Sequence, residues 1–240
     1  MNKLLVFLLL CSSLGTEAQT AKVHNDPKAK ERVLTSGFSA ISVTSGIQLF
    51  ITQSDHVALA VSASEERFEE NLKTEVVKGV LKIYYDTEGL SYSNYKNRKL
   101  IAYLSVKDIQ SIKSSGGAIT RLVNPFTLDD LSIECTSGSL LNGTVTLSSL
   151  QANASSGAQV NLSGTVGNVD ISVNSGAIFK GASLQTQTCT ALANSGAAVN
   201  IAVEREMTAF AKSGASISYT GNATLKKSSV NGGAVVNKVK

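Results

Sequence analysis

Tryptophan is missing from this chain of 240 residues, proline and histidine occur only twice each, and the aromatics together make up 5%. The histidines, His24 and His56, have no ligand-like spacing, which argues against a metal site and leaves a hydrolase triad little to draw on. Serines are abundant, yet no Gly-x-Ser-x-Gly elbow occurs among them. Beyond the N-terminus no apolar run approaches the length needed to span a bilayer. The net charge of +4 is scattered and forms no basic stripe, so nucleic acid is not the expected partner. Few aromatics and prolines, with Gly, Ser, Thr, Asn, Val and Ala crowding the second half, suit thin β layers better than a helical globule.

What is present begins with an export signal. Met1-Asn2-Lys3 is a short positive start, Leu4 to Leu10 is an apolar run, and Thr16-Glu17-Ala18 before Gln19 puts small residues at the −3 and −1 positions. Residues 1–18 therefore read as a signal peptide cleaved after Ala18, and 19–37 as a linker. Cys11 invites a lipoprotein reading, against which stands Leu10 where such sites want a small residue. The expected location is the periplasm, the outer membrane or the cell surface, with no membrane span in the mature chain.

A small-polar residue followed by glycine recurs at Ser115-Gly116, Ser137-Gly138, Ser156-Gly157, Ser175-Gly176, Ser195-Gly196, Ser213-Gly214 and Asn231-Gly232, a period of about nineteen residues. Other positions keep phase with the glycine. Three residues after it stand Ile119, Leu141, Val160, Phe179, Val199, Ile217 and Val235. Seven before it stand Ile109, Leu131, Leu150, Val169, Cys189, Met207 and Leu225, and directly after it the residue is always small. Two large apolar columns, one small column and a glycine corner predict an all-β chain wound into a single-stranded parallel β-helix. Cys135 and Cys189 fall in different columns two to three turns apart, too far for a disulfide.

Residues 106–240 are read as the repeat array and 38–105 as a β-rich part that continues or caps it. Ser45-Gly46, flanked by Ile41, Val43, Ile47, Leu49 and Ile51, carries the same signature once more. A strand at Val57 to Val61, a short helix capped by Ser64, and strands Thr74 to Val77 and Val80 to Tyr85 joined by Lys78-Gly79 follow. Between Asp86 and Lys99 runs a polar stretch. Its Tyr92, Tyr95, Lys96, Arg98 and Lys99 are the candidate ligand-binding residues, because a Tyr face stacks on sugars and a cationic head pairs with anions.

Phe38-x-x-Ile41-x-Val43, Val80-Leu81-x-Ile83, the Ser-Gly-Ala corners, Leu162-Ser163-Gly164 and Tyr219-Thr220-Gly221-Asn222-Ala223 together resemble the GIN head domain of auto-transporter adhesins from Bacteroidetes envelopes, from about Phe38 to about Val236. The resemblance implies a right-handed β-helix and brings no catalytic residues with it. Ala223 stands where such domains usually carry proline.

β-Helices also house polysaccharide lyases and glycosidases, which need paired carboxylates on one groove. Here Asp108, Asp129, Asp130, Glu134, Asp170, Glu204 and Glu206 fall at unrelated phases of the repeat. Asn142, Asn153, Asn161 and Asn222 fit the glycan-acceptor pattern and are read as turn residues. The expectation is a non-catalytic envelope protein, without cofactor, that binds a surface glycan, polymer or envelope protein. A carbohydrate-active enzyme and a structural or signalling component acting as a homo-oligomer are the alternatives.

Overall fold

The structure, a computed structural model, describes residues 25–239. The expected signal peptide, with its expected cleavage site after Ala18, and the residues Cys11 and His24 lie outside the described residues. In chain order the elements are β1 (Lys30–Arg32), β2 (Ala40–Val43), β3 (Gln48–Gln53), β4 (Ala58–Ala63), a helical turn α1 (Glu66–Glu69), β5 (Leu72–Val77), β6 (Val80–Tyr85), a second helical turn α2 (Tyr92–Tyr95) and β7 (Leu100–Val106). There follow β8 (Ser111–Ser114), β9 (Ile119–Leu122), β10 (Phe126–Cys135), β11 (Leu140–Ala154), β12 (Gln159–Val173), β13 (Ile178–Ala193), β14 (Ala198–Lys212), β15 (Ser216–Thr220), β16 (Thr224–Asn231) and β17 (Val235–Lys238).

From β8 onward each coil of chain pairs in parallel with the next, about one repeat away in sequence, so the chain is a stacked β-solenoid. Each corner has the pattern of a type I′ turn. Ser137 and Gly138, for example, both have positive φ, at 53° and 69°, and the Ser139 amide donates to the Thr136 carbonyl at 3.2 Å. The amide that this turn leaves over is used vertically: Gly138 donates to the Ser156 carbonyl, Gly157 to Ser175, and Gly176 to Ser195, each at 3.0 Å. The glycine amide of the corner thus finds its partner in the neighbouring coil, and a side chain at the glycine would adopt a conformation that only glycine takes cheaply.

The periodic reading needs correction at both ends of the array. In the first and last corners the positive-φ pairs are Gly116-Gly117 and Gly232-Gly233, so the phase slips by one residue. Thr120 and Val236, not Ile119 and Val235, share the inward column with Leu141 and Ile217. A Gly-Gly pair can place φ > 0 at two alternative registers, and stacking on the neighbouring corner selects one of them. Thr120 is buried, and its hydroxyl is within 3.3 Å of the Ser114 hydroxyl. Ile109 is buried too, but one residue out of phase with Leu131, since Ser132 aligns with Ser111.

The unit around Ser45-Gly46 is a genuine coil: β2 pairs in parallel with β8, and β3 with β9. Between this coil and the next, the chain makes an excursion that covers the end of the stack. β6 adds to the free edge of β2 and β7 to that of β3, both parallel, while β5, β4 and β1 add antiparallel to β6, β7 and β4. Lys78 and Gly79, with φ of 51° and 76°, make the expected hairpin turn between Val77 and Val80. The helix expected after Ser64 is only one turn and has Glu65 at its N-cap with no side-chain cap. Ser64 instead accepts the Lys99 amide at 3.2 Å, tying the excursion together.

Both cysteines are buried and free. Cys135 aligns with Ala154, and Cys189 with Val169 and Met207. Burial pushes each thiol from 9.0 up to about 12. Both are therefore expected to resist thiol-modifying reagents in the folded protein and to react at once in denaturant, as read by mass spectrometry. The folded pKa lies above the unfolded one, so the unfolded chain releases protons first. Stability is unaffected by these groups below about pH 9. It should then fall as the pH rises toward 12, by up to about 1.4 kcal/mol per unit for each cysteine.

Candidate functional site

The side of the solenoid that follows the Ser-Gly corner, here called the first side, consists of β7, β3, β9, the opening stretches of β11 to β14, then β15 and β17. At the strand spacing of about 4.8 Å it is roughly 40 Å long. Pleating sends alternate residues inward, and register stacks the outward ones into columns. One column runs Tyr103, Phe50, Arg121, Asn142, Asn161, Lys180, Asn200, Ser218 and Asn237. Its neighbour runs Ile101, Gln48, Ile119, Leu140, Gln159, Ile178, Ala198, Ser216 and Val235. Neither column contains an acidic residue.

The Phe50 and Tyr103 rings stack with centroids 5.6 Å apart, giving the first side an aromatic platform at its covered end. Burial first, and the Asp26 carboxylate second, push the Tyr103 phenol up, so it stays a neutral donor, reaching Asp26 Oδ2 at 3.3 Å. Toward the middle, the Asn161 amide donates to Asn142 Oδ1 at 2.7 Å, and Gln159 Nε2 donates to Asn161 Oδ1 at 2.8 Å. This chain of amides holds each member in one orientation and leaves other amide donors and acceptors facing out. Beside it Arg121, Leu122, Asn142, Gly143, Asn161 and Lys180 help line a shallow groove of about 430 Å³. Gly143 keeps the groove open toward Leu122, whose side chain a Cβ would strike.

Three of the four asparagines read as turn residues are therefore strand residues: Asn142 and Asn153 in β11, and Asn161 in β12. Only Asn222, whose side chain donates to Glu204 Oε2 at 2.9 Å, lies outside a strand. The polar column was readable in principle, because each member from Phe50 to Asn237 stands four residues after its corner glycine once Gly117 and Gly233 are taken as the corner residues.

The Asp86–Lys99 segment sits at the covered end of the same side. Tyr92 opens α2 and is 72% exposed, and Lys96 and Lys99 are exposed. The alternation that leads into β7 puts Lys99 on the outward side with Ile101 and Tyr103. Tyr95 closes α2. Arg98 differs from the others: its guanidinium lies 4.6 Å over the Tyr85 ring and donates to the Ser45 carbonyl at 3.0 Å, so it clamps the segment onto the first corner. In the best acidic cluster, Asp129-Asp130 with Glu134, Glu134 is paired with Lys113 at 2.8 Å, and the ladder neighbours of Asp130 and Glu134 in the next coil are Ser149 and Asn153. Among the described residues no group of three or more His, Cys, Asp or Glu could hold a metal ion, and no helix is long and apolar enough to cross a membrane.

Comparison with known proteins agrees with this architecture. Three solved structures superpose over almost their whole length. One is from Bacteroides fragilis, described as "a putative adhesin" (TM-score 0.75, 17% identity, 89% of this chain and 97% of that one). A second, from Parabacteroides distasonis, is described as a "putative lipid binding protein" (TM-score 0.68, 20% identity, 90% and 98%). The third, from Parabacteroides merdae, is again "a putative adhesin" (TM-score 0.67, 16% identity, 90% and 98%). At these identities the likeness is one of fold. No curated protein matches the sequence. The family model described as "Putative auto-transporter adhesin, head GIN domain" matches residues 37–223, and the chain belongs to that family of adhesin-like proteins.

Proposed function

We propose that this protein is an exported, non-catalytic envelope adhesin whose first side holds an extended surface glycan. The observation that carries the reading is the outward column of amide, hydroxyl, cationic and aromatic side chains, in register over the length of the solenoid and free of carboxylates. Amides that both donate and accept match sugar hydroxyls, aromatic faces stack on sugar rings, and Arg121 and Lys180 suit acidic substituents. Tyr92, Lys96 and Lys99 extend this surface at the covered end, while Arg98 positions them. Export places the chain in the periplasm, at the outer membrane or on the cell surface.

A glycan array probed with residues 19–240 tests the proposal. Binding to one class of polysaccharide is expected. Arg121→Ala, Asn142→Ala and Asn161→Ala should each weaken it about ten-fold, with the circular-dichroism spectrum unchanged. Silence across the array, or a triple variant that binds as well as the parent, would sink the reading.

A further inference from the structure

We infer that the end of the solenoid formed by β16 and β17 is a docking surface for an anionic lipid bilayer. The two ends of the stack are built differently. The first coil is covered by β6 and β7, whereas β16 pairs only with β14 and β17 only with β15, so among the described residues their outer edges carry no strand. Leu225 and Val230 occupy the inward columns of Met207 and Ala211, but among the described residues no coil lies beyond them, and they are 41% and 44% exposed. Val235 and Val239 are 44% and 48% exposed at the same end. One and two coils back, Phe210 and Leu192 stand side by side on the outer surface and extend the apolar patch.

Charge decides what covers this patch. From Met207 to Lys240 the sequence holds five lysines, at 212, 226, 227, 238 and 240, and no aspartate or glutamate. The nearest acids in sequence, Glu204 and Glu206, belong to the preceding coil, and among the described residues only Glu206 reaches a lysine of the end, Lys226 at 3.4 Å. Lys227 lies 5.4 Å over the Phe210 ring, Lys238 donates to the Ala223 carbonyl at 3.4 Å, and among the described residues neither is paired with a carboxylate. A second copy stacked end to end would bring two such lysine sets within a Debye length of each other, which disfavours self-association. A surface that accepts short apolar side chains at its acyl boundary and pairs lysines with phosphates above it matches both features. The strand edges then stay at the hydrated headgroup level, where their free backbone groups keep water as a partner.

The proposal is independent of what the first side binds. Residues 19–240 are co-sedimented with vesicles of phosphatidylcholine alone and of phosphatidylcholine containing roughly one-third phosphatidylglycerol. Binding to the anionic vesicles only, weakening as salt rises, is expected. Lys227→Gln with Lys238→Gln should lower partitioning about 25-fold, about five-fold for each lysine. Val239→Ser should lower it as well, since its side chain is exposed, lies outside both columns of the first side, and its loss leaves the packed coils intact. Asn142→Ala on the first side should leave it unchanged, which separates failure here from failure of the glycan reading. Equal binding to both vesicle types, no binding to either, lysine variants without effect, or a dimer in lipid-free sedimentation equilibrium would each overturn the proposal.

Discussion

Gly164→Ala is expected to lower the stability of the folded chain by about 3–5 kcal/mol, seen as a fall of roughly 10 °C in melting temperature. Gly164 sits in β12 with φ of 111°, outside the regions that an L side chain adopts readily. A Cβ there would land on the carbonyl oxygen of Val145, the residue paired with Gly164 in the coil before it. That oxygen belongs to the ladder and cannot move without opening it. The comparison is Gly157→Ala at a corner, where φ is 70° but a Cβ meets nothing within 4 Å. This variant carries only the left-handed penalty, about 1–2 kcal/mol. Equal losses for the two variants would show that close packing at Gly164 is not what demands glycine.

Phe179→Ala should cost about 3–5 kcal/mol, because it empties the middle of the stack. Phe179 is fully buried, in register between Val160 and Val199. Its bulk is matched by its neighbour: a Cβ on Gly181 would come within 2.7 Å of Phe179 Cε1. Each coil has only its two neighbours to lean on, so the loss should spread along the axis and not stay local. Hydrogen exchange is expected to quicken in β12, β13 and β14 while the covering excursion of β4 to β6 keeps its protection. Phe179→Leu should recover more than half of the loss, whereas uniform loss of protection in the whole chain would contradict this picture.

The stacked outward columns show where sequence reading stops. Burial leaves a mark on inward positions, because an apolar residue must recur there in every coil, and Leu141, Val160, Phe179, Val199 and Ile217 make that mark visible. Outward positions carry no such penalty, so Arg121, Asn142, Lys180 and Ser218 share no residue type; what they share is a place four residues after a corner glycine, and for Arg121 register was needed to show that Gly117 is that glycine. The Tyr-rich segment was conspicuous for composition alone. Its tertiary placement separates Arg98, used to hold Tyr85 and Ser45, from Tyr92, Lys96 and Lys99, which face solvent.

The amino-acid sequence by itself determined the period, the glycine corner, the inward columns and the separation of the two cysteines. All of these are local: they need only alternation, positive φ and a constant repeat. Only the tertiary structure decided that residues 40–53 form the first coil of the same stack, that Gly117 and Gly233 carry the outer corners, and that one end is covered while the other shows core side chains and lysines. Those outcomes depend on which strand edges meet. Edge pairing is chosen by backbone hydrogen bonds between coils, which are nearly indifferent to the side chains that the sequence records.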